Sequence, residues 1–309
     1  MRTIRVILLA AVAALAVAAC GSSSKNTSSS TAASSKPGAG KPAVVIGDKN
    51  FTEEYILGDL YAQALQAKGY KVTLKPNIGS SEITYKALTS GQIDMYPEYT
   101  GVIVSVIAGV TKPPHSAQAA YSTANTYVQK HGFTLLKPTP FYDTDAMGVL
   151  KSFAQKHNLK TVADLKPLGH SLVLGGAPEF ATRQEGLIGL KQQYGLNPTF
   201  KPLAIGLTYK ALDTGQVQVS DVFTTDPQLT TGKYKVLTDP KNVFGFQNVA
   251  PIVKQSVLSA EGPAFAQTIN SVSALLTIPA IQKMNAAVAL DQQNPATVAH
   301  QFLVANHLA

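Results

Sequence analysis

The sequence predicts an α/β chain built as two similar lobes with a cleft between them, and three observations carry that expectation. First, the stretch TYKALTSGQIDMYPEYTG at 84–101 reopens at 208–226 as TYKALDTGQVQVSDVFTTD. In each copy an apolar-patterned helix (Tyr85 and Leu88; Tyr209 and Leu212) runs to a glycine, Gly91 or Gly215, suited to a left-handed cap, and a short strand follows. The copies are too far apart to stack as a solenoid, so each belongs to its own α/β layer, and the segments after the two strands (96–100 and 223–226) face the opposite lobe. Second, 309 residues with 45% hydrophobic content suffice for two domains with ordinary cores. Third, the chain beyond about residue 246 has no partner lobe of its own, and returning to the first lobe is its economical place.

The first twenty residues read as an export signal: Arg2 and Arg5 precede an alanine-rich apolar run that ends in small residues. Cys20, the only cysteine, directly follows Val17, Ala18 and Ala19. Residues 21–41 are rich in Ser, Thr, Ala and Gly and read as a flexible tether. The globular part opens with a strand at 43–46. Asn50 or Thr52 then caps a helix that carries Glu53 and Glu54 at its positive end and Ile56, Leu57, Leu60, Tyr61, Ala64 and Leu65 on one side. A strand at 71–74 leads to a polar loop in which Ser80 or Ser81 caps the first repeat helix while facing the cleft. A buried helix is expected within 101–110 and another at 121–130. The segment 141–150, after Pro138 and Pro140, has strand character and is expected to cross between the lobes.

In the second lobe a strand at 171–174 precedes the loop Gly175, Gly176, Ala177, Pro178, Glu179, Phe180, and a helix from about Ala181 carries Arg183. Glu179 and Arg183 form a surface ion pair worth about 0.5 kcal/mol, or the loop before them approaches a ligand. Strands at 236–237 and 249–253 precede three helical patterns at 264–276, 281–290 and 296–308. The domain plan is a signal at 1–19, a tether at 20–42, a first lobe of 43–145 and 246–309, and a second lobe of 146–245.

The formal charge is +8, but the lysines are scattered and no basic run interleaves with aromatics. Nucleic acid is therefore not an expected partner, whereas a basic surface beside anionic lipid is the plainer reading. There is no His-Glu-x-x-His pair, no Gly-x-Ser-x-Gly elbow and no phosphate-binding Gly-rich loop, and the six histidines are dispersed. An enzyme is not expected, and no metal or cofactor is called for. Asp143 and Asp145, two apart on an expected strand, point to one side. Nothing beside them resembles a nucleophile, and a hinge or capping role suits Asp143.

Four ordered motifs carry a family resemblance: GDKNFTEEYIL at 47–57, IDMYPEYTG at 93–101, PEFATR at 178–183 and FTTD at 223–226. Over nearly all of 44–308 the chain resembles substrate-binding lipoproteins of the glycine betaine, carnitine and choline (osmoprotectant) class of ABC importers. The resemblance implies the type II periplasmic-binding-protein fold, with two α/β lobes joined by two crossover strands and closing on a small solute that passes to a permease and its ATPase. The segment ending in Cys20 resembles a lipobox, which implies cleavage before Cys20, a diacylglycerol on its sulfur and tethering to the outer face of the cytoplasmic membrane; a monomer is expected.

Such proteins hold a trimethylammonium group in a box of aromatic rings. Carried over position by position, the box has Tyr99, then Asp145 in place of a tyrosine, Phe223 beside Thr224, and Gln247 with Phe246 alongside. The groups that receive a betaine carboxylate map to Lys49 and Arg183, and Val102 stands where a threonine is expected after Thr100. Asp145 and Gln247 suit a solute with hydroxyl or N–H donors. One alternative is therefore a cleft retuned to a polyol, sugar-like or phenolic solute. Others are a box rebuilt by Tyr96 or Tyr142, and a surface lipoprotein with a vestigial cleft.

Overall fold

The computed structural model describes residues 36–112 and 114–309, so Cys20 and the signal lie outside the described residues. In chain order the elements are β1 (Ala43–Gly47), α1 (Thr52–Ala67), β2 (Lys71–Lys75), α2 (Ser81–Thr89), β3 (Met95–Tyr99), a short α3 (Thr100–Val102) continuing into a π-helical turn (Ile103–Ile107), α4 (Ala117–Lys130) and β4 (Phe133–Leu135). Then come β5 (Asp145–Leu150), α5 (Lys151–Lys156), β6 (Val173–Gly176), α6 (Leu187–Gly189), β7 (Thr199–Pro202), α7 (Thr208–Asp213), β8 (Val219–Phe223) and β9 (Tyr234–Leu237). The chain ends with β10 (Val249–Lys254), α8 (Gln255–Glu261), α9 (Pro263–Leu275), α10 (Ile278–Ala289) and α11 (Pro295–Ala305).

Two five-stranded sheets result, ordered β2-β1-β3-β10-β4 and β7-β6-β8-β5-β9. Their plans match. Three parallel strands are followed by an antiparallel one, β10 or β5, that the chain reaches only by crossing from the other sheet. The two crossings run side by side, joined by an antiparallel bridge between Tyr142 and Asn248.

The sequence repeat is a structural repeat down to single bonds. Gly91 and Gly215 both take left-handed backbone, φ 82° and 71°, which glycine adopts without a Cβ penalty. After them Gln92 N–H donates to the Ala87 carbonyl and Gln216 N–H to that of Ala211, both at 2.9 Å. Asp94 and Gln218 then accept from Val45 N–H and Val173 N–H in the neighbouring strand, again both at 2.9 Å. One helix-turn-strand unit is thus pinned to the adjacent strand in the same way in each lobe.

α1 is the core helix of the first lobe. Ile56, Leu57, Leu60, Tyr61, Ala64 and Leu65 are buried along it, against helices α9, α10 and α11 and the strands beneath, and the Tyr61 and Ser273 hydroxyls bond at 2.9 Å. Its start differs from expectation: Phe51 holds the N-cap position without a side-chain bond, and the Glu54 carboxylate instead turns back to accept from Lys49 N–H at 3.2 Å. Nor does a helix carry Arg183. Residues Pro178–Thr182 form a 3₁₀ turn and Arg183 is extended (φ −92°, ψ 148°). The chain folds back so tightly at Gly186 that a Cβ there would lie 2.1 Å from the Phe180 carbonyl oxygen, and this reversal interrupts the helical run until Leu187.

Candidate functional site

Ligand sites in open α/β sheets lie off the carboxyl ends of the parallel strands. Here those ends meet across the seam. Lys49, Asn50 and Phe51 follow β1, Ser80 and Ser81 follow β2, Tyr99 ends β3, Ala177, Glu179 and Arg183 follow β6, and Asp221 and Phe223 belong to the end of β8. Together with Asp143, Asp145 and Gln247 from the crossings they line a cavity of about 50 Å³.

Of the residues expected at the ligand, Lys49, Ser80, Ser81, Tyr99, Asp143, Asp145, Glu179, Arg183, Phe223 and Gln247 reach this lining, whereas Thr100, Thr224 and Phe246 do not. Those three are tied into the crossings. The Thr100 hydroxyl donates to the Phe246 carbonyl at 3.0 Å, Phe246 borders a separate hollow beside Glu185, and the Thr224 hydroxyl accepts from Thr144 N–H at 3.0 Å. Asp143 lines the cavity but commits one carboxylate oxygen to Thr225 N–H at 3.1 Å. Gln247 is similarly occupied, its Oε1 accepting from the N–H of Val102, the last residue of α3, at 3.0 Å.

The aromatic wall has a member that sequence reasoning missed. Phe51 stands between Tyr99 of one lobe (centroids 6.2 Å apart, planes at 25°) and Phe223 of the other (5.6 Å, 19°). Tyr96 and Tyr142 do not rebuild the box: Tyr96 is fully buried and donates to Glu98 at 3.0 Å, while Tyr142 is 48% exposed. Behind Phe51 and Phe223 lies a second, larger hollow of about 300 Å³.

The Tyr99 ring already faces a cation. Lys49 Nζ lies 4.2 Å from its centroid and 5.7 Å from that of Phe51. The same ammonium donates to Glu98 Oε1 at 2.5 Å, lies 3.3 Å from Ser81 Oγ, and is 3.7 Å from Glu54 Oε1. All three charged side chains are buried, so the ammonium is committed to the chain's own carboxylates. Ser81 joins this network, and the Ser80 hydroxyl donates to Glu82 at 2.6 Å without capping α2.

Arg183 is committed in the same way, though not to Glu179. Its guanidinium reaches across the seam to Glu82 on α2, through Nε–Oε1 at 3.1 Å and Nη2–Oε2 at 2.9 Å. Against the burial that would raise it, this guanidinium pulls the pKa of the Glu82 carboxyl down to about 2. A residue on the other lobe, far away in the chain, outcompetes the near neighbour because the fork meets it with both nitrogens.

Burial lifts Asp145, Asp221 and Glu53 above the ordinary range, and lifts Glu185 to about 8. Glu53 ties the seam together, accepting from Tyr99 OH at 2.8 Å, Thr225 OH at 2.7 Å and Asn285 Nδ2 at 2.9 Å. Asp221 was also missed from sequence, although it shares a strand face with Phe223 two residues on.

Two matching lobes, paired crossings and a ring-and-carboxylate hollow where the strand ends meet define a bilobal solute-binding protein. The chain belongs to the family described as the substrate binding domain of the ABC-type glycine betaine transport system, whose model matches residues 42–305. It is 35% identical over 275 residues to a glycine-betaine-binding protein of Pseudomonas aeruginosa, covering 85% of this chain and 88% of that one. It is 27% identical over 278 residues to the carnitine transport binding protein OpuCC of Listeria monocytogenes, covering 87% and 89%. A crystal structure described as a glycine betaine/carnitine/choline ABC transporter superposes with a TM-score of 0.69 at 27% identity, covering 86% of this chain and 99% of that one.

Proposed function

We propose that this protein captures a compact quaternary-ammonium solute between Tyr99, Phe51 and Phe223 and delivers it to the permease of its importer. The observation that carries the reading is the cation 4.2 Å from the Tyr99 centroid, in a wall of three rings drawn from both lobes. A ring face that accepts the Lys49 ammonium has the electrostatics to accept a methylated one, at about 0.5–2 kcal/mol per desolvated face. The names of the relatives support the same class, since glycine betaine, carnitine and choline share a trimethylammonium group. Export and a lipid anchor on Cys20 complete the proposal: the tether holds the receptor outside the membrane, beside the permease.

Isothermal titration of the purified protein with glycine betaine, choline and carnitine, paired with solution scattering, tests it. At least one of the three binds at micromolar concentration or below and contracts the protein as the lobes close. Binding of none of them, with a polyol or phenolic bound instead, overturns it in favour of a retuned cleft. For the anchor, Cys20→Ser is expected to release the protein from the membrane fraction.

A further inference from the structure

The charges around the cleft are unevenly committed. The two basic side chains that line it, Lys49 and Arg183, both hold carboxylates of the chain itself: Glu98 and Glu54 for the first, Glu82 for the second. A solute carboxylate therefore meets two cations whose charge is already balanced, and a guanidinium whose Nε–Nη2 edge is already filled. On the opposite wall the situation is reversed. Asp145 and Asp221 line the same cavity, on neighbouring antiparallel strands in which Asp145 lies across from Phe223 and Met147 across from Asp221, so the two carboxyls meet diagonally on one face. Asp221 is 6% exposed, and its Oδ1 has no hydrogen-bond partner among the described residues. A buried acceptor left open costs stability unless something donates to it. Among the described residues, the lining therefore offers rings and an open acceptor but no basic group whose charge is unpaired.

We infer that this cleft selects cations that carry a hydroxyl or N–H donor and no carboxylate, with Glu82 blocking the carboxylate receptor and the Asp145–Asp221 pair receiving the donor. The inference rests on the quaternary-ammonium reading above and narrows it. Glu82 acts here as a resident carboxylate: it fills the Nε–Nη2 edge of Arg183, and it does so from the other lobe. A cationic alcohol leaves that pair intact, places its methyl groups against the rings, and directs its hydroxyl proton to Asp221 Oδ1. A zwitterion of the same size must instead break that pair, crowd its carboxylate against Glu82 on the same guanidinium, or bring it against two acidic side chains.

Titration calorimetry at pH 7 with choline, its O-methyl ether and glycine betaine decides the matter. Choline is expected to bind about tenfold or more tightly than either of the others, the ether failing for want of the donor and the betaine for its carboxylate. Glu82→Gln, an isosteric change on a partly exposed side chain, is expected to tighten glycine betaine about tenfold and to move choline less than threefold. Asp221→Asn and Asp145→Asn, each checked for native thermal unfolding, are expected to weaken choline about tenfold more than they weaken its ether. Glycine betaine binding as tightly as choline to the unsubstituted protein, or an unchanged choline-to-betaine ratio in Glu82→Gln, overturns the inference while leaving the quaternary-ammonium reading intact. Failure of all three probes and of carnitine to bind overturns both.

Discussion

Replacing Lys49 by methionine separates two roles for this side chain. Among the described residues its ammonium is the only base within bonding distance of Glu98, at 2.5 Å, and it lies 3.7 Å from Glu54. Methionine keeps most of the apolar stem but leaves both carboxyls buried without a counter-charge. Breaking a buried pair from one side costs about 3–5 kcal/mol, or roughly 6–20 °C in Tm at about 2–4 °C per kcal/mol. The loss depends on pH. Burial already holds Glu54 well above its ordinary range, opposed chiefly by Lys49; without Lys49 it rises further, so the native variant holds a proton that the unfolded chain has released. Stability of the variant therefore falls as pH rises above the ordinary carboxylate range, by up to about 1.4 kcal/mol per pH unit for one proton. Urea denaturation of parent and Lys49→Met at about pH 5 and about pH 8 measures this, with the larger gap expected at the higher pH. Equal stability in the alkaline sample would refute the claim that Lys49 is committed to Glu98 and Glu54. A pH-independent gap would show that lost packing, and not lost charge, is responsible.

Phe51→Leu keeps an apolar side chain in the seam but removes the ring face, and is expected to raise the Kd for a quaternary-ammonium solute about 2- to 30-fold by calorimetry; an unchanged Kd would make Phe51 mere filling. Gly101→Ala places a Cβ 2.6–2.7 Å from the amide group of Gln247, which overpacks the start of α3 and is expected to cost about 1–3 kcal/mol in denaturant unfolding. An unperturbed Gly101→Ala protein would show that Gln247 is free to turn toward a ligand. For the unsubstituted protein, burial raises Glu185 from 4.5 to about 8, Asp48 from 3.8 to about 7 and Asp226 from 3.8 to about 6. The native state thus holds more protons than the unfolded chain between these limits, and Tm is expected to fall as pH rises from about 4.5 to about 8. The opposing contribution of Glu82, held down to about 2 from 4.5, is lost only as pH falls below its ordinary value and does not reverse the slope. A Tm that rises across this window would contradict the raised carboxyls.

What the sequence reveals about this molecule follows the range of the interactions involved. The repeat is legible because its determinants are local: a helix, a glycine that must take positive φ, and a strand, all close together in the chain, so that Gly91 and Gly215 mark equivalent turns. α1 is legible because its buried face recurs at helical spacing. Motif order identifies most of the cleft lining, since residues at strand ends are placed by the sheets themselves. The partners of those residues are a different matter. Arg183 has an acidic neighbour, Glu179, in its own loop, yet it pairs with Glu82 across the seam, and no periodicity in either segment records that the lobes bring them together. Phe51 is hidden in its motif by Asn50 and Thr52, which are good helix caps; its position just beyond the end of β1 is the stronger clue. Asp221 can be found from strand alternation with Phe223, whereas its unpartnered oxygen cannot, because the lack of a donor is a property of everything around it. Side-chain type and strand ends thus tell which residues line the cleft. Which of their charges remain available to it is decided only when the two lobes meet, and Glu82 and Asp221, the residues on which the inferred selectivity turns, are both of that second kind.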